Sequence, residues 1–230
     1  MANELLNDLL SNIISGEYYS KKLDSEHALS EKYGMTRVDV RNVLSRLEEM
    51  GYIRSKQGVG RFYRDKLPEI ELSLSGKMSF TEKMLKQGYD FKTVNIGFRK
   101  LDDGEVRPDM SVLGDAPYYE VKRLRFVHDI PVAIHSSILS AERFSALSDV
   151  GSEITSLYRF FNSYDHHELQ AVETKCSVGF PLHSEQKLLN CNTLVPLLIL
   201  ESSTVDTVSG EYLDCFKTIY RTDLFKFIIS

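Results

Sequence analysis

The stretch from Leu23 to Tyr63, LDSEHALSEKYGMTRVDVRNVLSRLEEMGYIRSKQGVGRFY, limits most tightly what this chain can fold into. Asp24 or Ser25 caps a short helix carrying Ala28, Leu29 and Tyr33, and Gly34 stops it. Thr36 caps a second helix whose apolar stripe is Val40, Val43, Leu44, Leu47 and Met50, closed by Gly51. A two-stranded hairpin follows, its tip the glycine-bracketed Gln57-Gly58-Val59-Gly60. Helices this short depend on tertiary packing of their stripes. Residues 3–15 supply a partner: Leu5, Leu6, Leu9, Leu10, Ile13 and Ile14 fall on one helical stripe between a cap at Asn3 and a stop at Gly16.

The net charge of −5 does not point to nucleic acid, but its distribution does. Between Gly34 and Arg64 stand Arg37, Arg41, Arg46, Arg54, Lys56, Arg61 and Arg64, against Asp39, Glu48 and Glu49. One basic module in an otherwise acidic chain is the pattern of a module that meets phosphates. Arg37, Arg41 and Ser45 form a row away from the apolar stripe. Most such rows are solvated faces. This one begins at a helix N-terminus, where N–H groups and the helix dipole favour a phosphate. It also follows a tight glycine turn and precedes a basic hairpin, so DNA binding is the stronger reading.

Residues 3–63 resemble the winged helix-turn-helix of GntR-family bacterial transcription regulators. The family pattern L-P-S-E-R-x-L-A-x-x-x-G-V-S-R-x-T-V-R-x-A-L stands here as LDSEHALSEKYGMTRVDVRNVL, and its Q-G-x-G-x-F-V wing as QGVGRFY. The resemblance implies DNA contacts from Thr36, Arg37, Asp39 and Arg41 on the recognition helix, and from Lys56, Gln57, Gly58 and Gly60 on the wing. Its two glycines would let the tip enter the minor groove. His27 stands where the family usually carries a DNA-contacting arginine, and Asp39 where it carries a threonine. A carboxylate at that position suits the helix dipole, and equally can accept a hydrogen bond from cytosine N4.

Residues 65–76, DKLPEIELSLSG, read as a partly extended linker between a DNA-binding domain at 1–64 and a second domain at 77–230. The second domain has a different grammar. Ser79-Phe80-Thr81-Glu82 is a capping box opening a helix that ends at Gly88. Strands are expected at Phe91–Leu101, Tyr118–His128, Val132–Leu139 and Leu169–Val178, and short helices near Asp109–Leu113, Ser156–Tyr164 and Ser184–Cys191. His128-Asp129-Ile130-Pro131 reads as a tight connection, and Pro196–Val208 with Tyr212–Ile229 as one long final hairpin. This is an α+β chain: a winged helix-turn-helix followed by an antiparallel-sheet domain. Strand alternation puts Val121, Arg123, Arg125 and Val127 on one face, and Tyr212, Asp214, Phe216, Thr218 and Tyr220 on another. Two arginines flanked by valines are costly to bury unpaired, so they need carboxylate partners or an anionic ligand, unless that face is exposed.

Residues 77–229 resemble the effector-sensing UTRA domain of the HutC subfamily, whose fold is like chorismate lyase. The motifs are SFTEKMLKQG, YYEVKRLRFVHDIPVAIHSSIL, SLYRFF and YRTDLFKF, in that order. The resemblance implies effector contacts from Ser79, Thr81, Arg123, Arg125, His135, Ser156, Tyr158, Asp214 and Tyr220. Arginines beside a Ser/Thr-capped helix start suit a phosphate or carboxylate. His135 and Asp214 stand where amino-sugar-phosphate sensors usually hold glutamates, so the group bonded there differs.

The rest of the chain narrows the possibilities. Leu194–Leu200, the longest apolar run, is short and contains Pro196, and Glu4 and Asp8 interrupt any leader-like start. Cys176, Cys191 and Cys215 are odd in number and far apart, which fits reduced thiols. His166-His167-Glu168 lacks metal-ligand spacing, and no G-x-S-x-G elbow or comparable nucleophile setting occurs. The expectation is a cytoplasmic, homodimeric transcription regulator with no cofactor, metal, catalytic residue or membrane partner. It would act as a repressor, bind a double-stranded, near-palindromic DNA operator and respond to a small anionic, sugar-phosphate-like effector. The competing reading is a DNA-binding regulator whose second domain makes protein contacts without a small ligand.

Overall fold

The computed structural model describes residues 2–64, 70–73, 78–106 and 108–228. The chain divides into two compact units, Met1–Pro68 with Phe180–Val195, and Glu69–Gly179 with Pro196–Ser230. In chain order the elements begin with α1 (Ala2–Ser15), α2 (Glu26–Tyr33), α3 (Arg37–Glu49), β1 (Ile53–Lys56) and β2 (Gly60–Tyr63). Then come β3 (Ile70–Ser73), α4 (Phe80–Lys86), β4 (Phe91–Lys100), β5 (Tyr118–Val127) and β6 (Ile130–Ser140). The remainder are α5 (Leu147–Val150), α6 (Leu157–Asn162), β7 (Leu169–Gly179), α7 (His183–Leu189), β8 (Leu197–Asp206), β9 (Tyr212–Arg221) and β10 (Phe225–Ile228).

In the first unit the three helical stripes meet as their spacing requires. Leu5, Leu9, Leu29, Val40, Leu44 and Leu47 bury in one core with Ile53 and Tyr63 of the hairpin. Each such side chain contributes about 1.5–3 kcal/mol on leaving water. Ser25 Oγ accepts the Ala28 N–H at 3.1 Å, and Thr36 Oγ1 accepts the Asp39 N–H at 3.2 Å, so both caps form. The hairpin gains a third edge from residues that read as loop: Lys22 bridges Phe62, and Leu23 N–H donates to Arg61 O at 2.9 Å. At the C-terminal end of α3, Asn192 Nδ2 donates to Glu48 O at 2.5 Å and Leu194 N–H to Glu49 O at 3.0 Å. Two of the carbonyls that a helix end leaves unpaired are thus satisfied by a segment more than 140 residues away.

The second unit is a six-stranded antiparallel sheet in the order β4-β5-β6-β9-β8-β7. Phe144, Leu147, Leu157 and Phe161 pack with Val121, Leu139, Leu169 and Leu213 of the sheet in one core. Three strand expectations need correction. The β5–β6 turn is only His128-Asp129, both with positive φ, so Ile130 and Pro131 belong to β6. Pro131 sits beside a bulge at Val132, where its missing N–H is tolerated. The final hairpin does not run through to Ile229: β9 stops at Arg221, whose guanidinium pairs with Asp223 at 2.8 Å, and β10 leaves to pair in parallel with β3. Lastly, Leu213 is an extra residue in β9 between the Thr204↔Asp214 and Val205↔Tyr212 pairs. That bulge turns Tyr212 off the Asp214 face, and it packs instead near Met110, Leu113 and Cys215. Of the expected linker at 65–76, residues 65–69 and 74–76 lie outside the described residues, and Ile70–Ser73 form β3.

Candidate functional site

Strands β5, β6, β8 and β9 and the starts of α4 and α6 surround one cavity of the second unit, with about 940 Å³ of empty space including its open mouth. Ser79, Thr81, Arg123, Arg125, His135, Ser156, Tyr158, Asp214 and Tyr220 all line it. The alternation of β5 and β9 explains why. Arg123 and Arg125 face Asp214, Phe216, Thr218 and Tyr220, which follow the Leu213 bulge in unbroken alternation.

The arginines are 4% and 8% exposed, and among the described residues neither forms an ion pair. Arg123 Nη1 donates to Thr155 O at 3.3 Å and its Nη2 lies 2.9 Å from His135 Nδ1, while its Nε is buried with no hydrogen-bond partner. Arg125 Nη1 donates to the Tyr220 hydroxyl at 3.2 Å, and its guanidinium lies 4.5 Å over the Phe80 ring. Burial, then mutual repulsion, lowers the pKa of Arg123; burial lowers that of Arg125. Lys83, which the sequence reading did not single out, also lines the cavity, and burial, then the Arg125 charge, brings its pKa down to about 8.

Among the described residues, Asp214 is the one buried carboxylate in the lining. Its Oδ2 accepts from Ser137 Oγ at 2.7 Å, and its Oδ1 is buried without a hydrogen-bond partner. Burial raises its pKa against the nearby Thr204 and Ser137 hydroxyls and the Arg123 charge. His135 stacks on Phe216 with ring centroids 5.2 Å apart, and burial followed by the two arginine charges holds its pKa well below 6.5. Three cationic side chains against one carboxylate leave the cavity positive. Among the described residues, the buried side-chain atoms of the lining without a hydrogen bond are Arg123 Nε, a donor, and Asp214 Oδ1, an acceptor.

A second candidate surface lies on the first unit. Thr36 and Asp39 open α3, with the Thr36 hydroxyl donating to Asp39 Oδ2 at 2.7 Å, so that carboxylate already takes part in the cap. Arg37 is exposed. Arg41, one turn on, is also exposed but held by Glu26 of α2 at 2.8 Å. Lys56 and Gln57 lie at the exposed wing tip, where Gly58 and Gly60 have φ of +73° and +131°, backbone that L side chains rarely adopt. His27 is exposed and lies 3.7 Å from Glu31. His166, weighed above as a metal ligand, instead hydrogen-bonds Asp206 at 2.7 Å.

Residues 2–62 match the model of bacterial regulatory proteins of the gntR family, and residues 86–226 match the UTRA domain. The chain belongs to the GntR family, with a UTRA domain. GntR regulators bind DNA through this helix-turn-helix, and UTRA domains bind small-molecule effectors, so the protein is a transcription regulator and not an enzyme. The chain is 26% identical over 227 residues to the HTH-type transcriptional repressor NagR of Bacillus subtilis, covering 98% of this chain and 92% of that one. It is 24% identical to the mannosyl-D-glycerate transport/metabolism system repressor MngR of Escherichia coli, over 90% and 85% of the two chains. The structure of PhnF from Mycobacterium smegmatis superposes with a TM-score of 0.61 at 21% identity, covering 96% of each chain, and so shares the fold. No helix among the described residues is long and apolar enough to cross a membrane.

Proposed function

We propose that this GntR–UTRA protein is a cytoplasmic, homodimeric repressor that releases a near-palindromic DNA operator when a small anionic effector enters the cavity of its second unit. The observation that carries the reading is the pair Arg123 and Arg125, buried without a carboxylate partner in a cavity that also holds Lys83. Buried charges are expensive unless compensated, and a phosphate or carboxylate is the compensating group the cavity suits. Asp214 Oδ1 would accept a hydrogen bond from a hydroxyl or amino group on the same ligand, which fits a sugar-phosphate-like molecule. The repressor reading draws on the names of NagR and MngR.

On the DNA side, Thr36, Arg37, Asp39 and Arg41 would lie in the major groove, and Lys56, Gln57, Gly58 and Gly60 at the minor groove. Two copies would place their α3 helices roughly 34 Å apart, one helical turn of DNA. By linkage, the effector lowers operator affinity by the same factor that DNA lowers effector affinity. Thermal-shift measurements with inorganic phosphate, hexose phosphates and organic acids test the effector class, since a ligand of the folded state raises apparent stability. The expected result is a concentration-dependent upward shift with a phosphate ester, accompanied by loss of operator binding in fluorescence anisotropy. A cavity indifferent to every anion would favour a second unit that works through protein contacts.

A further inference from the structure

Glu26 occupies an unusual position in the DNA-binding unit. It stands in the first turn of α2, yet its carboxylate gathers two arginines from other elements. Arg41 of α3 donates from Nε at 3.1 and 3.2 Å and from Nη2 at 2.8 Å. Arg61 of β2 donates from Nη1 at 2.7 Å. Beyond Arg61, its Nε lies 3.7 Å from Glu48 Oε2 of α3, and Glu48 in turn accepts the N–H and hydroxyl of Ser55 in β1 at 2.8 and 2.9 Å. Arg41 remains 57% exposed while Glu26 is 18% exposed, so the acid lies beneath the arginine.

We propose that Glu26 is a positioning residue for DNA recognition: it locks Arg41 of the recognition helix and Arg61 of the wing into one orientation, and by doing so supplies base discrimination at the expense of electrostatic attraction. The guanidinium is planar. Because Glu26 takes its Nε–Nη2 edge, the donors on Nη1 are directed away from the acid in a fixed plane. Reading a base edge needs that fixed plane, whereas neutralising a phosphate needs only charge. An extra carboxylate close to DNA weakens sequence-independent binding, which is set by the phosphates. A purely electrostatic surface would do better without Glu26.

The inference rests on family-level DNA binding and on Arg41 facing DNA, not on the effector reading. The test uses the full-length protein, the duplex it selects best from a random pool, and a scrambled duplex of equal length. For Glu26→Gln, the expected result is a loss of discrimination between the two duplexes of about tenfold, the scale of one lost bidentate base contact, with binding to the scrambled duplex unchanged or tighter. In an Arg41→Ala background the same substitution should change discrimination less than in the wild type, since of the two arginines that it positions only Arg61 remains. Tighter binding to the selected duplex at unchanged discrimination would overturn the proposal in favour of a clamp that withholds Arg41. Parallel weakening on both duplexes would overturn it in favour of a merely structural role. If Arg41→Ala itself keeps full discrimination, the placement of Arg41 on DNA fails as well; if only Glu26→Gln is silent, that placement stands and the positioning role alone falls.

Discussion

Nη2 of Arg123 lies 2.9 Å from Nδ1 of His135. A guanidinium has only donors, so Nδ1 is the acceptor and the imidazole proton sits on Nε2. His135 is therefore held neutral in the wall of the cavity, and a protonated His135 would break the contact and bring a further positive charge against Arg123 and Arg125.

That relationship sets a pH dependence of stability. The folded-state pKa of His135 is lowered, while in the unfolded chain it titrates near 6.5. Below about pH 6.5 the unfolded chain binds a proton that the folded chain refuses, so the site's contribution is full above that pH and falls as pH drops. Urea unfolding between about pH 5 and 7.5 should show a steeper acid loss for the wild type than for His135→Gln, by at most about 1.4 kcal/mol per pH unit. Equal slopes in the two proteins would remove His135 as the cause.

The arginines predict a trade of stability against response. Arg125→Met keeps only the apolar stem of the side chain, gives up the guanidinium's place over Phe80, and removes a buried charge that, among the described residues, has no carboxylate partner. Its unfolding free energy should stay within about 1 kcal/mol of the wild type, or rise. The same variant should lose the thermal shift with phosphate esters. Calorimetric unfolding with and without ligand reads both quantities.

Gly151 is required by packing, not by backbone conformation. A Cβ there would stand 2.1 Å from Cε2 of Phe98, whose ring is stacked on Tyr119 with centroids 5.1 Å apart. Gly151→Ala should destabilise the protein by about 1–3 kcal/mol, the usual range for overpacking. Gly104→Ala, where a Cβ meets open space, is the control and should change stability little. A denaturation midpoint for Gly151→Ala equal to the control's would show that the Phe98 ring yields freely.

Thr36 does two things at the start of α3: it caps the Asp39 N–H and donates its hydroxyl to the Asp39 carboxylate. Thr36→Ala should cost about 1 kcal/mol of stability. Because it also frees the Asp39 carboxylate, operator preference should shift in binding selections, whereas Thr36→Ser should restore the wild-type preference. An unaltered preference in Thr36→Ala would confine the pair to capping.

The helices and hairpin of residues 2–64 were legible almost to the residue, because their signals are local: caps at Ser25 and Thr36, glycine stops at Gly34 and Gly51, and stripes at helical spacing. That Phe180–Val195 joins this unit was not legible, since it meets the end of α3 only through long-range contacts. In the second unit the strands were found but some of their details were not. The two-residue turn at His128-Asp129 and the bulges at Val132 and Leu213 depend on pairing partners far away in the chain. The departure of β10 to pair with β3 is equally non-local, since it needs Ile70–Ser73 as a partner.

The sequence by itself determined the helical face that carries Arg37 and Arg41, through periodicity and capping. Its ordered motifs carried the family resemblance, and it was the resemblance that implied the set of side chains now seen to converge on the cavity. Only the tertiary structure decided how those side chains are balanced. It buried Arg123 and Arg125 without an ion-pair partner, added Lys83 to the lining, tied His135 to Arg123, and set Glu26 beneath Arg41. The physical reason is common to all four: charge balance and desolvation depend on which side chains become neighbours across strands and helices, and a one-dimensional spacing does not encode that distance.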